Sequence, residues 1–178
     1  MGINIVFETD SITEDNERGI ATGWHHGRLS PEGRRLAIEL GNRHRNDGIQ
    51  TIFTSDLRRA IETVEIALSE MTIPILHDWR LRECNYGDKN GMLIIELHSY
   101  RRQYLDKPYP NGESWQQAIH RVGRFLEDLH LYWENKRVLV VGHVATRWAF
   151  EYYLNHVTLE DLIESQFVWQ EGWEYFLP

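Results

Sequence analysis

Hydrophobic positions along the chain fall into two rhythms, short unbroken apolar runs and longer stretches with helical spacing. The runs Ile3–Phe7, "QTIFTS" and "IPILHD" are each short enough for a strand, and "RVLVVGH" (residues 137–143) is the strongest strand pattern in the chain. Between them, Ser30-Pro31-Glu32 reads as an N-cap, a proline at the first helical position and an acidic first turn. The helix it opens should run through "RRLAIELGNRHR" with Leu36, Ala37, Ile38 and Leu40 facing inward. "DLRRAIETVEIALSE" places Leu57, Ile61, Val64 and Leu68 on one stripe. "GESWQQAIHRVGRFLEDLHLYW" does the same with Ile119, Val122, Phe125, Leu126 and Leu129. "VATRWAFEYYL" follows the strong strand as a helix, and "FVWQEGWEYFL" alternates well enough for a closing antiparallel edge strand. Strand and helix alternating in this way predict an α/β fold. It would be a three-layer αβα sandwich on a mainly parallel sheet, as one domain over residues 1–178.

In such sheets ligands bind beyond the carboxyl ends of the strands. Three polar segments lie there: Thr9 to Asn16, Ser55 to Arg59, and His143. His143 precedes a helix whose free N–H groups attract anions, although a histidine can also simply fill a strand-to-helix turn. Arg59 stands in the first turn of a helix, where a cation opposes the helix dipole; a surface salt bridge is the plainer account of it. Glu83 is flanked by Arg80 and Arg82 and reads equally well as part of a solvated ion pair.

Composition narrows the partners. With 178 residues, 42% hydrophobic and 26% charged, the chain has the make-up of an ordinary globular protein. A formal charge of -8 argues against nucleic acid or an acidic membrane surface as partner. Of the basic residues only Lys89, Lys107 and Lys136 are lysines, and arginine is the better bidentate partner for oxyanions. A single cysteine, Cys84, precludes an internal disulfide and fits a reducing compartment. With no leader pattern and no membrane-length apolar run, the expectation is cytoplasmic. The adjacent His25 and His26 are poorly placed to share one metal ion and read as solvent-facing or substrate-rim residues. Trp169, Trp173, Tyr175 and Phe176, with Trp148, Tyr152 and Tyr153, read as core and edge-strand packing; a wall for a ligand's organic part, or a dimer surface, is the alternative.

Several ordered motifs together resemble the histidine phosphatase superfamily, the phosphoglycerate-mutase-like group. "TSDLRRAIETVEIA" is similar to the family's second-arginine motif, "RLRECNYGDKNG" to its Leu-Arg-Glu segment, and "PNGESWQQAIHRVGRFLEDL" to its Gly-Glu-Ser stretch and following helix. "VLVVGH" resembles the strand carrying the second catalytic histidine. "TGWHHGRLSPEG" resembles the loop after the first motif, with its Asp and Pro unmatched. The resemblance implies a phosphorylated small-molecule substrate and no cofactor. It places Arg59 in a phosphate pocket with Thr9, Thr13 and Asn16, makes Glu83 the proton donor to the leaving oxygen, and gives His143 a phosphate-holding catalytic role. It implies hydrolysis more than mutase activity, because the chain lacks the longer insertions of the true mutases. A homodimer is left open.

The opening motif departs from the family's Arg-His-Gly-Glu-Thr-x-x-Asn. Anchored on Thr13 and Asn16, the chain has Thr9 for the arginine and Asp10 for the nucleophilic histidine. One positive charge is lost and one negative gained, and at about 4 Å with an effective dielectric of about 20 each charge pair is worth on the order of 4 kcal/mol before screening. Reduced or no hydrolysis is therefore expected, with a non-catalytic phospholigand binder as the rival reading. Arg18, Arg28 or Arg147 would be the replacement cation. A carboxylate can itself accept a phosphoryl group, usually beside Mg²⁺, and Asp10, Glu83 and His143 are the residues that would contact one.

Overall fold

The computed structural model describes residues 1–178. In chain order the first half comprises β1 (Ile3–Thr9), α1 (Glu14–Glu17), β2 (Ile20–Ala21), α2 (Pro31–His44), β3 (Thr51–Thr54), α3 (Arg58–Ala67) and β4 (Ile75–His77). The second half comprises β5 (Met92–Leu93), α4 (Ile94–Tyr100), α5 (Trp115–Tyr132), β6 (Arg137–Gly142), α6 (Val144–Leu154), α7 (Leu159–Glu164) and β7 (Trp173–Leu177). Five strands form the main sheet in the order β4-β3-β6-β1-β7, parallel except for β7, which runs antiparallel to β1 at the edge. β2 and β5 make a separate two-stranded ribbon that the hydrophobic pattern did not predict.

The sheet is covered on both faces, which is why its central strands read as unbroken apolar runs. On β6, Val138 and Val140 face a core shared with α5 and α6, where Ile119, Val122, Phe125, Trp148 and Phe150 lie. Leu139 and Val141 face the opposite core with Val64 and Leu68. All five residues read as the inner stripe of α5 are buried. Phe7 meets Phe150 edge-on at 5.7 Å and Trp173 at 5.7 Å, so much of the C-terminal aromatic cluster is core. Trp169 and Phe176 are exposed.

Two expectations need correction. On α2 the buried face is Gly33, Ala37, Leu40, Gly41 and His44, a true helical repeat, and Ile38 points outward at 54% exposure. Glycine occupies two of those positions because α2 lies against backbone: a Cβ at Gly41 would meet the Ala67 carbonyl oxygen at 1.8 Å, and one at Gly33 the Ile12 oxygen at 1.8 Å. The closing strand is also shorter than its alternation suggested. It begins at Trp173, after Gly172 turns the chain with a φ of 79°, and Phe167 and Val168 lie outside it and exposed. No helix is long and apolar enough to cross a membrane.

Candidate active site

Parallel pairing of β1 with β6 sets Thr9 opposite Gly142, so the next residue of each strand emerges at the same end of the sheet. Those residues are Asp10 and His143. The Asp10 N–H donates to the Gly142 carbonyl at 2.9 Å, extending the ladder by one bond. His143 is the N-cap of α6, and its N–H donates to Thr146 Oγ1 at 3.0 Å. From the neighbouring strand, β3 leads through Ser55 into α3, whose second residue is Arg59.

The three side chains meet. Asp10 Oδ1 lies 3.1 Å from His143 Nδ1, and Asp10 Oδ2 lies 3.3 Å from Arg59 Nε. Arg59 is buried, and both its terminal nitrogens also bond to backbone: Nη1 donates to the His25 carbonyl at 2.8 Å and Nη2 to that of Gly23 at 2.9 Å. Burial alone would raise the Asp10 carboxyl. The charge and hydrogen bond of His143, then the charge of Arg59, outweigh it and hold the group below its ordinary value of 3.8. The other ring nitrogen of His143, Nε2, is buried without a hydrogen-bond partner.

Glu83 approaches from the segment after β4. Its Oε1 accepts the N–H of Cys84 at 2.9 Å and that of Ala145 at 3.1 Å, which places the carboxyl group on the first turn of α6 beside His143. The main chain there is held from α5. Arg121, itself buried, donates to the carbonyls of Arg80, Arg82 and Glu83 at 2.8, 2.9 and 2.8 Å and pairs with Glu113 at 2.8 Å. Trp24 Nε1 donates to the same Glu83 carbonyl at 2.7 Å. Arg82 grips Asp56 with two bonds of 2.6 and 2.7 Å while its guanidinium covers the Trp24 ring at 4.6 Å. The sequence reading assigned no role to Gly23, Trp24, Glu113 or Arg121. All four stood within quoted motifs, but nothing local shows that an arginine in the middle of α5 is aimed at a distant turn.

The remaining sequence candidates are placed as follows. Ser11 fastens the opening loop, its N–H donating to Thr63 Oγ1 at 3.0 Å and its hydroxyl to the Gly33 carbonyl at 2.6 Å. Thr13 and Asn16 cap α1 reciprocally at 2.9 and 3.0 Å. The Asn16 side-chain NH₂ stays free of hydrogen bonds within the chain. Thr9 is half-buried. The imidazoles of His25 and His26 are exposed, while their carbonyls shape the Arg59 pocket. None of the proposed replacement cations reaches Asp10. Arg28 pairs with Glu14 at 2.7 Å, Arg147 with Glu151 at 3.6 Å, and Arg18 is exposed near Glu14. No group of three or more His, Cys, Asp or Glu side chains is arranged to hold a metal ion, so Asp10, Glu83 and His143 do not form the Mg²⁺ contact considered from sequence.

Residues 11–167 match the family model described as histidine phosphatase superfamily (branch 1). The chain is 30% identical to a 2,3-bisphosphoglycerate-dependent phosphoglycerate mutase of Staphylococcus haemolyticus, over 85% of this chain and 84% of that protein. Among solved structures it is similar to YhfR of Bacillus stearothermophilus, with a TM-score of 0.83 and 24% identity over 95% of this chain and 88% of the other. It is also similar to the alpha-ribazole phosphatase of Shigella flexneri, with a TM-score of 0.78 and 22% identity over 89% and 83% of the two chains.

Proposed function

Because this chain belongs to branch 1 of the histidine phosphatase superfamily, we propose that its pocket receives the phosphoryl group of a phosphomonoester. We take it for a hydrolase of this type, impaired in this form by Asp10. Arg59, His143 and the free amide of Asn16 hold the phosphoryl oxygens, with Thr9 and Thr13 beside them, and Glu83 gives its proton to the leaving oxygen. One observation carries the impairment: the Asp10 carboxylate already engages both Arg59 and His143, standing as an internal anion where a phosphoryl group would be bound. An incoming dianion must compete with it and meets its charge at close range. The one free, buried cysteine fits a reducing, cytoplasmic setting.

Hydrolysis is preferred to the mutase reaction named for the Staphylococcus relative because the chain is short of the insertions that close over a bisphosphate. The same Asp10 contacts favour a second reading, a non-catalytic binder of phosphorylated ligands. Steady-state hydrolysis of a generic aryl phosphate, with calorimetric titration of inorganic phosphate alongside, separates the two. Slow but measurable turnover that disappears in Glu83→Gln supports the hydrolase. Binding without turnover supports the binder, and an absence of both removes the phosphate pocket altogether.

A further inference from the structure

Glu83 lies in a stretch without helix or strand, between the single-turn helices Trp79–Leu81 and Gly87–Lys89. Main-chain groups there have no ladder to bond to and must find other partners. One side chain supplies many of them. Arg121 uses all five of its donors: Nε on Glu113 Oε2 at 2.8 Å, Nη1 on the Arg80 and Arg82 carbonyls at 2.8 and 2.9 Å, and Nη2 on the Glu83 carbonyl at 2.8 Å and Glu113 Oε1 at 2.9 Å. The same Glu113 Oε1 accepts the Asn85 N–H at 3.0 Å, and the Glu113 N–H donates to the Asn85 carbonyl at 2.8 Å. The chain is thus gripped on both sides of Glu83. Thr146 Oγ1, which accepts the His143 N–H, donates to the Leu81 carbonyl at 2.8 Å and sets this turn against the strand-end histidine.

This frame aims the carboxyl group of Glu83. Its Oε1 accepts the N–H groups of Cys84 and Ala145, while its Oε2 takes no hydrogen bond from the chain and is left to carry a proton. We propose that Arg121, held by Glu113, is a positioning residue for Glu83, keeping Oε2 within reach of the leaving oxygen. With all its donors engaged on the protein, Arg121 does not itself contact the substrate. The proposal rests on the reading of Glu83 as proton donor in phosphomonoester hydrolysis. A general acid acts only within hydrogen-bond reach, and a misplacement of about 1 Å costs on the order of a hundredfold in rate. A lysine at 121 is a point charge on a flexible stem and cannot span three carbonyls and a carboxylate. The role is therefore selective. Loosening the clamp slows bond breaking where the leaving oxygen needs a proton, and leaves the phosphoryl group to Arg59, His143 and Asn16.

The test gives the full chain two esters and reads the ratio of their kcat values, which the folded fraction of a variant does not change. Phenyl phosphate releases a poor leaving group that needs the proton; dinitrophenyl phosphate releases a stable anion that does not. Glu83→Gln should raise the dinitrophenyl-to-phenyl ratio by at least about a hundredfold, the low end for a positioned acid. Arg121→Lys should raise it by at least about tenfold, because the acid is displaced rather than removed. Glu113→Gln keeps the shape of the side chain and should move the ratio in the same direction. It decides the matter if Arg121→Lys does not fold. A ratio that stays at the parent value in folded Arg121→Lys, or in Glu113→Gln where that variant alone folds, overturns the proposal, whether both rates fall together or neither moves. Arg121 would then serve stability alone. A parent chain that hydrolyses neither ester, or the dinitrophenyl ester alone, overturns instead the reading of Glu83 on which the proposal rests, as does a ratio that Glu83→Gln leaves unmoved.

Discussion

The carboxylate of Asp10 sits 3.1 Å from the imidazole of His143 although 133 positions separate them in sequence. Parallel pairing of β1 and β6 produces this meeting, because the two residues are the first beyond the paired strand ends. Both of the groups that a phosphate would seek, the Arg59 guanidinium and the His143 imidazole, are thereby turned toward a side chain of the protein.

Replacing Asp10 by His should raise aryl phosphate turnover by at least about a hundredfold, the low end of what one positioned catalytic group contributes. The exchange removes the internal anion and places a nitrogen beside Arg59, Glu83 and His143. With Thr9 unable to supply a cation, activity should stay partial. Steady-state rates of the two proteins check this, and equal rates would show the carboxylate to be competent as it stands.

Asp10→Asn should tighten binding of inorganic phosphate at least about tenfold, or about 1.4 kcal/mol, because the amide keeps the shape and loses the charge. The gain should shrink as salt is added. Isothermal titration at two ionic strengths reads both effects.

A second buried cluster makes stability depend on pH. His44 Nε2 lies 2.7 Å from buried Glu8 and Nδ1 lies 2.9 Å from Asp47, so only the doubly protonated ring can donate to both. Arg43 also contacts Glu8, and Arg137 also contacts Asp47. Burial alone would lower the His44 value, but bonds to Glu8 and Asp47, with their charges, raise it above 6.5. A raised value in the folded state means the contribution is fully present below pH 6.5 and fades as pH climbs through the folded value. Loss of the ring in His44→Ala should cost about 2 kcal/mol at low pH and progressively less above, as read from urea midpoints across the range.

Arg121→Lys should destabilise the protein by about 3 kcal/mol, since a point charge cannot replace a fork that serves three carbonyls and Glu113. An unchanged denaturation midpoint would show that the network contributes nothing.

The legible parts of this molecule were those coded by local pattern. The run "RVLVVGH", the Ser30-Pro31 start of α2 and the stripe Ile119 to Leu129 all took the predicted form. Meeting of Asp10, Arg59 and His143 followed from placing each at a strand's carboxyl end. What escaped was determined at a distance. Two positions on the inner face of α2 are glycines and a third is His44, none of which carries a hydrophobic signal, so Ile38 looked more useful than it is. Arg18, Arg28 and Arg147 were near the site in sequence, but carboxylates closer to them in space draw Arg28 and Arg147 away. The hold of Arg121 on the Glu83 turn joins residues 38 apart, beyond any local spacing rule.

The opening loop is held by Ser11, Ile12 and Thr13, through bonds to Thr63, Gly33, Ser30 and Asn16, and none of them involves the side chain of residue 10. In the genetic code, aspartate and histidine differ by a single base. A population of genes for this chain placed under selection for phosphate release would therefore need one nucleotide exchange and no repair elsewhere in the loop. The first winners of such a selection should carry that change at codon 10.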